Sequence, residues 1–275
     1  MEKWAIMLLT GLFLGAAFLI GSPAVKAMVN GKKQVMLTFD DGPHPDYTLR
    51  ILDILDQHQV KAIFFVVGQE VDHNTTIVEE IHQRGHLLGN HTYSHRNVTT
   101  IPRETLLEEL AATDALIENI TGYNPAFFRP PRGDYNIDTE LILAETGHSM
   151  LMWDACLERL DLNKSRQAVD TLLRRTAWKT NLVLLLHDGD PSGRHSRQIT
   201  VDALPLLIEE LRVRNYQFID PTSPSGAAFI AAYIEAGSSQ WYREPRFWAG
   251  SMVLLASLPV IALRRKAFRQ SARQC

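Results

Sequence analysis

Short apolar segments alternate with helix-forming segments from residue 33 to residue 221, and this alternation constrains the fold more than any other feature of the chain. Strands separated by helices pair in parallel, with the helices packed outside the sheet. About seven such strands suit a barrel, in which functional groups gather where strands end and loops begin. The predicted strands are 35–39, 62–67, 86–90, 126–128, 149–153, 182–186 and 216–219, and the predicted helices are 47–57, 75–84, 102–120, 138–145, 164–178 and 198–213.

The N-terminal end predicts export from the cytoplasm. Residues 4–20 carry no charge, Lys3 precedes them, and small residues follow as far as residue 27. This pattern is typical of a secretory signal. Because the apolar run is close to the lower length limit for crossing a bilayer, residues 1–27 are expected to be either a cleaved signal peptide or an uncleaved anchor.

The C-terminal end predicts a membrane anchor. Residues 247–263 are uncharged, and Arg264, Arg265 and Lys266 follow at once. Positive residues favour the cytoplasmic side, so 247–263 is predicted as a transmembrane helix and 264–275 as a cytoplasmic tail. A peripheral helix is the alternative, since the span is short. Residues 222–246, with a small-residue helix at 227–236, are expected to connect this anchor to the domain at 33–221.

Charge and composition narrow the class of function. The formal net charge is -3 and the sequence pI is about 6.4. Neither value is typical of a general nucleic-acid binder, which carries a basic surface. Hydrophobic residues make up 45%, enough for one large domain with a buried core. The chain is expected to work as a monomer on the outer side of the cell membrane.

Two adjacent carboxylates end the first predicted strand. Asp40 and Asp41 stand directly before Gly42 and Pro43. Along a regular strand the two side chains would face opposite ways, but where the chain turns both can point into one site. A bound cation would relieve their mutual repulsion. A simple capped turn is the alternative interpretation, because this is also good turn chemistry.

Two histidines follow the third predicted strand, at the same end of the sheet. His91 and His95 are spaced i and i+4, so they share a face if the segment is a helical turn. Two imidazoles and one carboxylate suit a metal ion and leave positions open for water and substrate. The alternative is a pair of surface histidines.

Two further segments add polar groups to the strand ends. Pro130 and Pro131 separate Arg129 from Arg132, so the amide of Arg132 is the first free donor, and Arg129 is a natural partner for a buried carboxylate. An ordinary proline-rich loop is the alternative. The predicted strand at 182–186 delivers His187 at its C-terminal end.

With these features in the same order, the chain resembles the polysaccharide deacetylase family, also called the NodB-homology domain or carbohydrate esterase family 4. The resemblance covers residues 33–221 and implies a distorted (β/α) barrel. It rests on four ordered motifs: 38–42, 91–95, 129–133 and 185–187.

The resemblance implies a role for each residue that matches a motif. Asp41, His91 and His95 would bind a divalent metal, usually zinc in this family, with cobalt or nickel as possible substitutes. Asp40 would be the general base, oriented by Arg129, and His187 the general acid. The amide of Arg132 would stabilise the oxyanion, a contribution of roughly 3–4 kcal/mol, and Leu185 would line the pocket for the acetyl group. The implied activity is removal of N-acetyl groups from a polysaccharide that contains N-acetylglucosamine, such as peptidoglycan or a chitin-like polymer.

The chain departs from the family pattern at two motifs. Arg132 stands where the family more often has tyrosine, which predicts altered substrate contacts. The fourth motif is poorly kept: Trp153 is expected to contact substrate, and either Asp154 or Asp161 to tune His187. A membrane-tethered glycan-binding module with lost or reduced catalysis is therefore an alternative. A non-haem iron oxygenase is another, because two histidines and a carboxylate also describe that class.

Overall fold

The computed structural model describes residues 32–158 and 164–239, which form an α/β fold around one sheet. All strand pairs are parallel, as the alternation of strands and helices predicts. The sheet has eight strands: β1 Lys33–Asp40, β2 Ala62–Val66, β3 Leu87–Asn90, β4 Phe127–Phe128, β5 Ser149–Met150, β6 Ala155–Cys156, β7 Asn181–His187 and β8 Tyr216–Phe218.

The strand order is that of a distorted barrel. It runs β5-β4-β3-β2-β1-β7-β6, which is sequence order around a ring that is open between β5 and β6. One edge of β1 is shared by two strands, since β8 pairs with residues 33–35 and β2 with residues 37–40. Because these pairs are parallel, the carboxyl ends of β1, β2, β3 and β7 lie at the same end of the sheet.

The helices that connect the strands agree closely with the predicted ones. A short helix after β2 was not predicted, and the last helix is longer than the predicted 227–236. The helices are α1 Tyr47–Gln57, α2 Gly68–His73, α3 Thr75–Gln83, α4 Arg103–Thr121, α5 Ile137–Thr146, α6 Ser165–Thr176, α7 Gln198–Val213 and α8 Pro224–Ser239.

The strand predicted at 149–153 is wrong in its extent. After β5 the carbonyls of Leu151 and Met152 accept hydrogen bonds from the guanidinium of Arg129, at 2.8 and 3.3 Å. The chain then crosses to the other side of the opening, where Asp154 N donates to the carbonyl of Val183 at 2.8 Å and β6 begins. The buried Arg129 thus engages the backbone carbonyls that a longer strand would use to pair with its neighbour.

Alternation along the strands decides which side chains face the barrel interior. In β1, Val35, Leu37 and Phe39 pack outward against the helices, whereas Met36 belongs to the interior cluster. Because side chains alternate along a strand, Asp40 shares the interior face with Met36. In β7 the same alternation sends Val183 and Leu185 inward and aligns His187 with them.

Helix α8 contributes to the core, although its residues were predicted as part of a connection. Phe229 and Ile230 are buried in the interior cluster together with Met36 and Ile219. The hydroxyl of Tyr233 makes a hydrogen bond to Asp154, and burial together with that carboxylate raises the pKa of Tyr233 well above its usual value. The packed structure therefore extends beyond residue 221.

Within residues 32–158 and 164–239, no helix combines the length and the apolar character that crossing a bilayer requires. The predicted signal or anchor at 1–27, the predicted span at 247–263 and the predicted tail at 264–275 lie outside the described residues.

Candidate active site

Asp40 and Asp41 converge at the end of β1. Asp41 adopts a left-handed conformation with φ 77°, which turns the chain immediately after the strand. As a result, Nε2 of His91 lies 3.8 Å from Oδ2 of Asp40 and 3.4 Å from Oδ1 of Asp41. Both carboxylates are almost fully buried. The predicted convergence of the two acids at a turn is confirmed.

The segment from His91 to His95 is a loop, so the prediction that a helical turn aligns the two histidines was wrong. Thr92 and His95 have left-handed φ values of 67° and 52°. Asn90 Oδ1 accepts the amide of Thr92 at 2.8 Å, and Glu109 accepts the amide of Ser94 at 2.6 Å. These contacts from β3 and α4 hold a backbone shape that residue spacing alone does not reveal.

The loop nevertheless brings the two imidazoles to one carboxylate oxygen. The ring centroids of His91 and His95 are 5.2 Å apart, and Nε2 of His95 lies 3.0 Å from Oδ1 of Asp41. Nδ1 of His91 is 2.7 Å from the carbonyl of Arg129. A donor at Nδ1 leaves Nε2 as the free nitrogen that faces the acids.

Asp41, His91 and His95 form a group that can hold a metal ion. Their three ligand atoms lie within 4.8 Å of one another. Tetrahedral bonds of about 2.0 Å place ligand atoms about 3.3 Å apart, and the two Oδ1–Nε2 distances of 3.0 and 3.4 Å match that spacing. Burial opposes ionisation of Asp41, but hydrogen bonds from both histidines outweigh it and hold its pKa well below the usual value. The donor set therefore fits a divalent ion.

Arg129 orients Asp40 from inside the barrel. The arginine is fully buried, and its Nη1 donates to Oδ1 of Asp40 and to Oγ1 of Thr38, both at 2.8 Å. Its guanidinium lies 4.1 Å from the ring centroid of Phe65 and 5.4 Å from that of Trp153. Oδ1 of Asp40 is therefore engaged, and Oδ2 faces the histidines.

Arg132 lies in a tight turn that follows the buried Arg129. The 3-10 turn Pro131–Gly133 places Arg132 at φ 61°. The amides of Gly133 and Asp134 close this turn on the carbonyls of Pro130 and Pro131. The amide of Arg132 is not one of these two, and the side chain of Arg132 is exposed. The oxyanion role of the amide stays a prediction.

His187 is paired with an acid that the sequence analysis did not select. Its Nδ1 lies 2.8 Å from Oε2 of Glu158, and its amide donates to Oε1 of Glu158 at 2.9 Å. Burial lowers the pKa of His187, but the charge of Glu158 outweighs that effect and raises it above the usual value. The pKa of Glu158 is lowered, because the nearby His187 outweighs burial.

Asp154, one of the two acids expected to tune His187, is engaged elsewhere. Asp154 forms an ion pair with Lys179 and accepts the amide of Val183 at 2.8 Å, at the other end of β7 from His187. The second candidate, Asp161, lies in residues 159–163, outside the described residues. Glu158 is aligned by register: Cys156 pairs with Leu185, so the residue two further on faces His187.

Trp153 and Leu185 lie in the interior core. Both are buried, and they pack in the same cluster as Phe65 and Val183. Leu185 pairs with Thr38, two residues before Asp40 and His187 on their strands, so it lies one layer below the polar groups. Their contact with a substrate stays a prediction.

A second residue that the sequence analysis did not select is Arg197, just before α7. Its Nη2 lies 3.3 Å from Oδ2 of Asp41, and its Nε donates to the carbonyl of Gly189 at 2.6 Å. Arg197 lies in a loop, ten positions after β7, and no motif marks it in the sequence.

The parallel α/β barrel carries a triad of candidate metal ligands, an oriented acid and a histidine–carboxylate pair, and comparison with known proteins identifies the class. A family profile described as polysaccharide deacetylase matches residues 27–151. A peptidoglycan-N-acetylglucosamine deacetylase of Bacillus cereus is 34% identical, over 70% of this chain and 68% of its own length. A chitooligosaccharide deacetylase of Bradyrhizobium sp. is 33% identical, over 69% of this chain and 89% of its own length.

The solved structures agree with the sequence comparison. The crystal structure of a peptidoglycan N-acetylglucosamine deacetylase superposes with a TM-score of 0.64 at 30% sequence identity, covering 69% of this chain and 86% of that chain. The chain belongs to the polysaccharide deacetylase family, as the four motifs indicate.

Proposed function

We propose that this chain is a metal-dependent N-deacetylase that acts outside the cytoplasmic membrane on a polysaccharide containing N-acetylglucosamine. The observation that carries the proposal is the meeting of Asp41, His91 and His95 at one point, with Asp40 and His187 beside it. The reaction adds water to the acetamide carbonyl and breaks its C–N bond, which releases acetate and leaves a free amine on the sugar.

A divalent ion held by Asp41, His91 and His95, with zinc as the first choice and cobalt or nickel as substitutes, would polarise the carbonyl and lower the pKa of a water molecule from about 15.7 toward about 7. The imidazole and carboxylate ligands are those that zinc commonly takes in catalytic sites.

Asp40 is placed to accept the proton of the attacking water. Its Oδ1 is held by Arg129 at 2.8 Å, so Oδ2 on the side of His91 is the oxygen that remains for proton transfer. A carboxylate that cannot rotate keeps its basic lone pair aimed at one point, which is the geometric requirement for general base catalysis.

His187 is placed to supply the proton that the leaving amine needs. Because Glu158 occupies Nδ1, the Nε2 nitrogen is the one left to donate. Since Glu158 also favours the charged imidazolium, His187 holds a proton to higher pH than an isolated histidine does. Asp40 and His187, the two proton-transfer groups, belong to β1 and β7, which are neighbouring strands in the sheet.

The substrate class is inferred from the relatives, which are named as deacetylases of peptidoglycan and of chitooligosaccharide. The exposed side chain of Arg132 adds a positive group that can contact the glycan. The location is inferred from the uncharged residues 4–20 and 247–263 and from the arginines that follow the second run. We assign the C-terminal run as the membrane anchor.

The test is acetate release by the full chain from chitooligosaccharides and from peptidoglycan, each with and without a chelator. Metal-dependent acetate release that proceeds without oxygen supports the proposal and excludes an iron oxygenase. Glycan binding without acetate release from either substrate, in protein shown to contain metal, contradicts it in favour of a binding module. Protease accessibility of the catalytic domain on intact cells tests the location.

A further inference from the structure

The two oxygens of Asp41 are divided between two sets of partners. Oδ1 lies 3.4 Å from Nε2 of His91 and 3.0 Å from Nε2 of His95. Oδ2 lies 3.3 Å from Nη2 of Arg197. The carboxylate therefore presents one oxygen to the triad while a guanidinium engages the other.

Arg197 is itself held in place from several directions. Its Nε donates to the carbonyl of Gly189 at 2.6 Å, and its own carbonyl accepts the amide of Thr200 at 3.0 Å as α7 begins. Gly189 packs directly on Asp41, because a Cβ at this position would lie 2.2 Å from the carbonyl oxygen of Asp41. The side chain of Arg197 is 12% exposed. A nearly buried, doubly anchored guanidinium is a fixed support rather than a mobile surface charge.

The start of α7 also contacts the other half of the site. Thr200, in the first turn of this helix, donates its hydroxyl to Oε1 of Glu158, the acid that pairs with His187. One helix start thus contacts both a carboxylate of the triad and the partner of the proton donor.

We propose that Arg197 is a positioning residue that holds Asp41 with a single oxygen toward the metal site, which keeps the remaining coordination positions open for water and substrate. This inference rests on the proposed metal-dependent function. Groups that orient a metal ligand in this way typically affect metal affinity by about 10- to 100-fold.

A purely electrostatic role and a positioning role predict opposite changes in metal affinity when the side chain of Arg197 is removed. If the arginine acted only as a positive charge near a cation, Arg197→Ala would relieve repulsion and bind metal more tightly. If it positions Asp41, Arg197→Ala frees the carboxylate to rotate and binds metal more weakly. Arg197→Lys keeps the charge but has a single donor nitrogen, so it does not reproduce the fork whose separate nitrogens reach Gly189 and Asp41.

The experiment measures Co²⁺ affinity and the visible Co²⁺ absorption spectrum of the full chain, without substrate. Arg197→Ala is expected to weaken Co²⁺ binding by about 10- to 100-fold and to change the spectrum, and Arg197→Lys to fall between it and the wild type. Arg194→Ala is the matched control, because Arg194 is an exposed arginine of the same loop, and it should match the wild type. Thermal unfolding of the metal-free proteins shows whether each variant folds.

The outcomes separate the two proposals. Unchanged or tighter Co²⁺ binding by a folded Arg197→Ala variant, with an unaltered spectrum, overturns the positioning role. If the wild type itself binds no Co²⁺ and releases no acetate, the proposed function fails instead.

Discussion

Glu158 accepts two hydrogen bonds from His187, one from Nδ1 at 2.8 Å and one from the backbone amide at 2.9 Å. The backbone contact fixes the carboxylate relative to the end of β7, so the side-chain contact has a defined direction. A carboxylate at Nδ1 stabilises the imidazolium and sets which nitrogen faces the metal triad.

Glu158→Gln is expected to lower activity and to shift its pH dependence. Glu158 raises the pKa of His187, so the protonated imidazole persists to higher pH and activity is lost as pH rises through that pKa. Removing the charge moves this alkaline limb to lower pH and lowers kcat/KM near pH 7, by at most the roughly 10²- to 10⁴-fold that general acid catalysis contributes. Acetate release measured from pH 5 to pH 10 gives both the position of the alkaline limb and the change in kcat/KM.

The control for Glu158→Gln is Thr200→Val, which removes the hydroxyl contact to Glu158 and leaves the contact to His187. It should keep the alkaline limb near the wild-type position. An unchanged limb in Glu158→Gln would contradict the pairing of these two residues in catalysis.

Much of the fold follows from local pattern, because apolar alternation and helix caps are local properties. The bounds of α1 and α7 were predicted to the residue. The convergence of Asp40 and Asp41 was also predictable, since a strand that ends at a glycine-proline turn releases two successive side chains toward one side.

The features that were not predicted depend on contacts between residues that are distant in the sequence. The left-handed conformations of Thr92 and His95 depend on support from Asn90 and Glu109, so spacing alone suggested a helical turn. Glu158 was missed because β6 is two residues long, and its register with β7 appears only once the sheet is assembled.

Asp40→Asn is expected to retain metal and to lose most activity. Asparagine keeps an oxygen that can accept from Arg129, but it is not a base. The loss expected for a general base is about 10²- to 10⁴-fold in kcat. Metal content by elemental analysis and acetate release on the same sample check both parts. Wild-type turnover in a metal-loaded variant would refute the assignment of Asp40 as the base.

Arg129→Met is expected to destabilise the protein strongly. The change leaves Asp40 as a buried charge without its guanidinium partner, and loss of one member of a buried pair costs about 3–5 kcal/mol. Arg50→Met is the control, because Arg50 and Asp46 form an exposed pair, and such pairs contribute about 0–1 kcal/mol. Denaturant unfolding of the metal-free proteins measures both changes. Equal losses in the two variants would contradict the predicted difference between buried and exposed pairs.

Asp188 makes the stability of the metal-free protein depend on pH. Its carboxyl is buried under Gly42, accepts the hydroxyl of Thr48 at 2.6 Å, and lies near Asp41. Burial first, and then the charge of Asp41, raises the pKa of Asp188 from 3.8 to about 7. The folded state therefore binds a proton that the unfolded state has already released. This contribution to stability is present in full below about pH 4, is lost as pH rises to about 7, and stays absent above that value.

Asp188→Asn removes this titration and keeps an oxygen for Thr48. The difference in free energy of unfolding between the variant and the wild type should therefore shift in favour of the variant by on the order of 4 kcal/mol between pH 4 and pH 8. Asp46→Asn, at an exposed acid, is the control. Because other groups titrate in the same range, the quantity to compare is the difference between each variant and the wild type at each pH, measured by denaturant unfolding with chelator present. A difference for Asp188→Asn that does not change with pH would show that this carboxyl is ionised in the folded protein across the whole range.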